Sequence, residues 1–174
     1  MRHNLSPYNQ EMMKNTFIRK NNILLTPVFL FLLLFVWISP NILKAEMLSV
    51  SGDKVNLRSG PGKKYIIKWE YGKGFPLVVL KKKGKWVKVK DFEGDSGWIY
   101  KSLLIDKPRM IVKANRNQEK SINIRKSPGT TKRIIGKAYY GVVFATIEQK
   151  SGWVKIKHDT GLEGWIKRSL LWGY

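Results

Sequence analysis

The sequence predicts an all-β chain, with two tandem small β-barrels behind an N-terminal apolar segment. Three observations predict it. One block of motifs occurs twice at a constant offset of 67 residues. Each copy alternates apolar and charged residues with the period of a half-buried strand. Glycine-rich turn signals punctuate each copy, and its helix-like stretches, "KSLL" and "RSLL", are too short for more than one turn.

Residues 1–45 are read apart from the fold. Ile23 to Ile38 form a 16-residue apolar run, preceded by Arg19 and Lys20 and broken by Ser39 and Pro40. A basic flank, an apolar run and Ala45 at a cleavage point make a secretory signal. An uncleaved membrane anchor is the competing reading, because the run approaches the ~20 residues that a span requires. Either way the basic flank stays inside and the rest is exported, periplasmic or secreted. Membrane contact is expected only through this segment if it is uncleaved.

Export changes the meaning of the charge. The chain carries 33 Lys+Arg against 12 Asp+Glu, a net charge of +21. Such a charge favours polyanions. Residues 1–45 hold 5 of the bases and one acid, so the exported part keeps +17. Outside the cytoplasm the expected partner is an acidic wall polymer rather than nucleic acid. Cysteine is absent, which excludes disulfides, thiolate metal sites and a Cys nucleophile.

The repeat can be followed motif by motif. "VNLRSGPG" (Val55–Gly62) matches "INIRKSPG" (Ile122–Gly129), Trp86 matches Trp153, and "GWIYKSLL" (Gly97–Leu104) matches "GWIKRSLL" (Gly164–Leu171). The copies are placed at 48–106 and 112–172, joined where Pro108 punctuates the chain. "FPLVVL" and "VVFATI" are strand-length apolar runs, and "WVKVK" and "WVKIK" are half-buried strands. "SGPG", "YGKG", "EGDSG" and "DTGLEG" supply turns. Five or six short strands in each copy suggest a small barrel, which closes its sheet edges.

The pattern N-[LI]-R-x-x-P-G, then W-V-K-[VI], then G-x-x-G-W-I, then S-L-L resembles the bacterial SH3 family, in both copies. The resemblance implies tandem SH3-like barrels and a non-catalytic binding role, often at the cell wall. It implies no cofactor, and it fixes the fold better than the ligand.

Comparing the copies separates fold from decoration. Shared residues, among them Asn56, Arg58, Pro61, Gly62 and Gly97, are assigned to turns and barrel packing. Alternation puts Trp86, Lys88 and Lys90 on one strand face and Val87 and Val89 on the other, and Trp153 repeats that outer face. Trp86 and Trp153 are candidates for an aromatic platform flanked by lysines; the competing reading buries them as barrel caps. Unshared aromatics are better ligand candidates: Tyr65, Trp69 and Tyr71 in copy one, Tyr139 and Tyr140 in copy two. Local repacking is their structural alternative. "KKKGKWVKVK" (Lys81–Lys90) reads as a hairpin turning near Gly84. Its Lys81 and Lys82 become Glu148 and Gln149 in copy two, so the excess charge belongs to copy one rather than to the fold.

Catalysis finds no support. His158 is the single histidine of the exported part, and no acid has an acid at the matching position in the other copy. Neither a duplicated catalytic pair nor a His-rich metal site is present. Two function classes follow: a module that binds peptidoglycan or another anionic envelope polymer, and a secreted or periplasmic protein-binding module.

Overall fold

The computed structural model describes residues 45–117 and 119–174; the apolar run and the rest of the N-terminal segment through residue 44 lie outside them. Each copy folds as an antiparallel seven-stranded sheet wrapped round its own core. The first contains β1 (Met47–Val50), β2 (Val55–Arg58), β3 (Ile67–Tyr71), β4 (Pro76–Lys83), β5 (Trp86–Lys90), β6 (Ser96–Tyr100) and β7 (Leu104–Ile105). Its strand order is β3-β2-β6-β5-β4-β1-β7. The second contains β8 (Arg109–Val112), β9 (Ile122–Arg125), β10 (Ile134–Ala138), β11 (Val143–Lys150), β12 (Trp153–Lys157), β13 (Glu163–Lys167) and β14 (Leu171–Gly173), in the equivalent order.

Two differences from expectation have local causes. Each sheet has seven strands because the chain returns after the single 3-10 turn, at 101–103 and at 168–170, to pair with its own first strand. The second sheet begins at Arg109, ahead of residue 112. Its first strand breaks the 67-residue offset: Met110 lies opposite Phe144 as Leu48 lies opposite Leu77. Residues 51–54 join β1 to β2, whereas the longer segment 113–121 joins β8 to β9.

Alternation decides what each sheet buries. Val87, Val89 and Ile99 are almost fully buried, while Trp86, Lys88, Trp98 and Tyr100 lie half-buried on the outer face. Gly97 also points inward. A Cβ there would lie 2.6 Å from the Arg58 carbonyl oxygen and 2.7 Å from Leu57 Cγ. Gly164 is equally tight, 2.5 Å from Ile124 Cγ2.

A β-bulge shapes the lysine-rich hairpin. The β4–β5 register shifts between Val79 and Lys81, and the β11–β12 register shifts at the matching place, between Thr146 and Glu148. Before the bulge Val79 faces Val89; after it Lys81 faces Lys88 and Lys83 faces Trp86. Directly opposed residues share a face. The extra residue, Leu80, therefore turns Lys81 and Lys83 from the core face to the outer face. The hairpin turns at Gly84, whose φ of +55° suits glycine.

One unshared aromatic is core. Tyr71 is 1% exposed, stacks on Phe75 at 4.4 Å and donates a 2.8 Å hydrogen bond to Asp91 Oδ2. It cannot reach a ligand, which corrects its candidacy. Copy two fills the same region differently: Ala138 replaces Tyr71, Phe144 replaces Leu77 and His158 replaces Asp91, with Phe144 edge-on to His158 at 5.6 Å. The large ring has moved from the edge strand to the long central strand.

Two stability outcomes are expected. Tyr71→Ala should cost about 3–5 kcal/mol, as for other large buried rings. Adding Leu77→Phe and Asp91→His rebuilds the other copy's core and should recover more than about 1 kcal/mol, a coupling that urea unfolding measures directly. Gly97→Ala should destabilise by about 1–3 kcal/mol, since the neighbour it meets is backbone. An unchanged midpoint would remove the close approach as a constraint.

Candidate functional site

The outer face of the first barrel carries a groove of about 400 Å³. Trp86 and Tyr100, opposed across β5 and β6, form its floor, with ring centroids 5.4 Å apart and edge-on. Lys54, Arg58 and Lys63 line it with Asn56, and no carboxylate does. Arg58 is held rigidly: its Nη1 donates to the Lys63 and Tyr65 carbonyls at 3.0 and 2.9 Å. These bonds tie down the β2–β3 loop. Arg125 ties the equivalent loop of the second barrel to the Lys132 carbonyl. The shared arginine therefore serves the fold in both copies and lines the groove in the first.

The predicted residues fall into three groups. Trp86 is on the groove floor, and Lys88 lies beside it, between Trp98 and Lys81. Lys90 is exposed on the same face, as is Lys81. Lys82 points to the other side and is paired with Glu46 at 2.7 Å, so its charge is locally balanced. Tyr65 lies over Gly60 and next to Lys64, and Tyr139 is 51% exposed. Trp69 and Tyr140 meet at the junction of the two barrels with Phe92 and Glu93.

Trp153 occupies the position equivalent to Trp86, on the same outer face but with different neighbours. Lys167 stands opposite it where Tyr100 stands opposite Trp86, so the ring pair is lost. Glu163 pairs with Lys157 at 3.0 Å and lies 3.9 Å from Lys155. The hydrogen bond from Lys157 holds the Glu163 carboxyl below its ordinary range. The first barrel has Ser96 at this position, and Lys88 and Lys90 have no carboxylate partner among the described residues. The duplicated basic face is partly offset by a carboxylate in one barrel and open in the other.

Sequence comparison missed Lys54, Lys63 and Tyr100. The signal was available: copy two carries Ser121, Thr130 and Lys167 at those positions. The test applied to unshared aromatics would have selected Tyr100, and the same test applied to bases would have selected both lysines. Asp91 proves structural. Its Oδ1 accepts the Glu93 and Asp95 backbone N–H groups at 3.0 and 2.9 Å, closing the β5–β6 turn. Among the described residues no cluster of His, Asp or Glu could hold a metal.

Paired small barrels with an open basic groove define a binding domain, and the comparisons give its family. The bacterial SH3 domain profile matches residues 51–106 and 118–173, and the chain belongs to that family. The "Putative N-acetylmuramoyl-L-alanine amidase YrvJ" of Bacillus subtilis (strain 168) is 30% identical over 123 residues, which cover 67% of this chain. The chain spans about a quarter of that protein, 24% of its length. Among solved structures, an NlpC/P60 family protein from Bacillus cereus ATCC 10987 gives a TM-score of 0.34 at 13% identity. That match covers 74% of this chain and 56% of the other. The Endolysin LysPBC5 CBD gives 0.30 at 21% identity, covering 73% and 91%.

The junction makes a prediction of its own. Tyr140 donates its hydroxyl to Glu93, whose Oε1 lies 3.3 Å from Arg116 Nε. Burial first, and then this hydrogen bond, push the Tyr140 hydroxyl from 10.0 up to about 12. The fold favours the neutral phenol. Its contribution is therefore complete below pH 10 and lost as pH rises through about 12. Ultraviolet titration of the protein against Tyr140→Phe should show one tyrosine ionising near pH 12.

Proposed function

We propose that the paired barrels form a non-catalytic module that holds peptidoglycan or another anionic polymer of the cell envelope. The observation that carries this reading is the groove on the first barrel: three bases, two rings and no acid. Sugar rings present C–H faces that pack on tryptophan and tyrosine, while the carboxylates of wall peptides meet Lys54, Arg58 and Lys63. The name of the Bacillus subtilis relative, a putative N-acetylmuramoyl-L-alanine amidase, supports the same assignment. Export through residues 1–45, by a cleaved signal or an uncleaved anchor, belongs to this proposal. So do the basic residues Lys81, Lys88 and Lys90 as a flanking field.

A second reading has its own observation. β3 ends its sheet; Ile67 and Trp69 are 50% and 57% exposed along it, and Ile66 just before it is 77% exposed. An open strand edge with apolar side chains suits an extended protein segment.

The two readings separate on purified sacculi. Lys54→Ser with Lys63→Thr copies what the second barrel already carries, so the fold should tolerate it. Retention should fall about 2- to 30-fold at low salt, the range for losing two exposed ion pairs. The deficit should shrink as salt screens the field, which extends ~8 Å at physiological ionic strength. Retention indifferent to both the substitutions and salt would sink the polymer reading and leave the protein-binding one.

A further inference from the structure

The junction between the barrels holds a cavity whose chemistry is the reverse of the groove's. This cleft, about 310 Å³, is walled by Trp69, Phe75, Phe92 and Tyr140, with Asp91 and Glu93 and no lysine or arginine in its lining. In a chain with 33 bases and 12 acids, such a lining calls for explanation. The rings form a connected set: Phe92 lies 5.3 Å from Tyr140 and 6.0 Å from Phe75, centroid to centroid.

The shared fold does not specify these residues, although Phe75 packs on Tyr71 in the first core. The other copy carries Gly136 for Trp69, Val142 for Phe75, Asp159 for Phe92, Thr160 for Glu93 and Lys73 for Tyr140. Joining the barrels explains Phe92 and Tyr140, which are half-buried. It does not explain Trp69, which stays 57% exposed at the cleft.

The two acids differ in what they offer. Both oxygens of Asp91 are engaged, by the Tyr71 hydroxyl and two backbone N–H groups. Glu93 uses Oε1 for both Tyr140 and Arg116, and its Oε2 receives no hydrogen bond among the described residues. Arg116 is itself 78% exposed, so it is a loosely held cation at a carboxylate that accepts cations.

We propose that the cleft binds a primary alkylammonium group, the amine end of a diamino-acid side chain in a wall peptide. Trp69, Phe92 and Tyr140 surround the methylenes and the charge, and Glu93 Oε2 accepts an N–H. Rings facing a cation attract it through their negative faces. A primary ammonium suits the site better than a quaternary one because only the former can donate to the free oxygen. The ammonium chemistry stands on the cleft alone; its assignment to a wall peptide rests on the envelope reading above.

The test titrates the full chain with pentylammonium and follows the Trp69 indole N–H by NMR, assigned with Trp69→Phe. The resonance should shift saturably, and pentan-1-ol, of the same length without the charge, should bind at least about tenfold more weakly. Trp69→Ala should weaken binding of pentylammonium, followed in that variant by calorimetry, about 2- to 30-fold, the range of one cation–π contact. Glu93→Gln should weaken it at least about fivefold, whereas Arg116→Ala, which removes the competing cation, should tighten it about 2- to 5-fold. The opposite signs matter, because loss of folding weakens both variants. Equal binding of the alcohol, or weakening by Arg116→Ala, overturns the proposal. A second arm uses sacculi whose amines have been acetylated. The wild-type chain should lose retention on them while Trp69→Ala does not lose more. Pentylammonium binding with no effect of acetylation overturns the wall source and points to protein lysines. Failure of the groove variants on sacculi leaves the pentylammonium result untouched, so the two readings fail separately.

Discussion

Each barrel depends on one close approach, where β6 meets β2 at Gly97 and β13 meets β9 at Gly164. A single register pair, Arg58 with Trp98 or Arg125 with Trp165, joins the strands there. Any side chain at the glycine would push against backbone or core, so the inward position must be empty. That fixes the phase of β6. With Gly97 and Ile99 inward, Trp98 and Tyr100 must face out. The β5–β6 register then sets Tyr100 against Trp86 and Trp98 against Lys88. The groove floor is thus a consequence of how the barrel closes.

Much of this was legible in the sequence. A repeat with one offset, "WVKVK" alternation and glycines at turn spacing together permit little besides small all-β units. The hairpin in "KKKGKWVKVK" was legible too, including its turn at Gly84. Two things were hidden. Segment 113–121 moved the first strand of the second barrel out of the common register, so periodic comparison could not see Arg109–Val112 as its start. The bulge at Leu80 was also invisible, because an inserted residue looks like any other apolar residue in a run; yet it decides that Lys81 faces out and Lys82 does not.

The site was legible only in part, and Tyr71 shows why. An unshared residue is dispensable to the fold in general, but its own copy can still need it. Tyr71 and Leu77 on one side, Ala138 and Phe144 on the other, are two solutions to one packing problem, and each is closed by its own polar partner, Asp91 or His158. Comparison of copies reports difference; only burial distinguishes a difference that repacks from one that faces solvent. Trp69 and Tyr100 pass that second test, and Tyr71 does not.

The duplicated fold carries an unequal distribution of charge. In the second barrel Glu163 offsets part of the lysine charge that its counterpart leaves open, and Thr130 and Ser121 replace two bases of the groove. Two of the first barrel's acids, Asp91 and Glu93, line the junction cleft, where Glu93 sits among rings. A plain polyanion would be attracted to the groove and repelled by the cleft. A polymer bearing carboxylates and amines on one peptide would satisfy both, and a partner that must match two signs at once is discriminated by the mismatch it would otherwise create. Under the proposed envelope reading, the +17 of residues 46–174 brings anionic polymers close, and the small acidic cleft chooses among them.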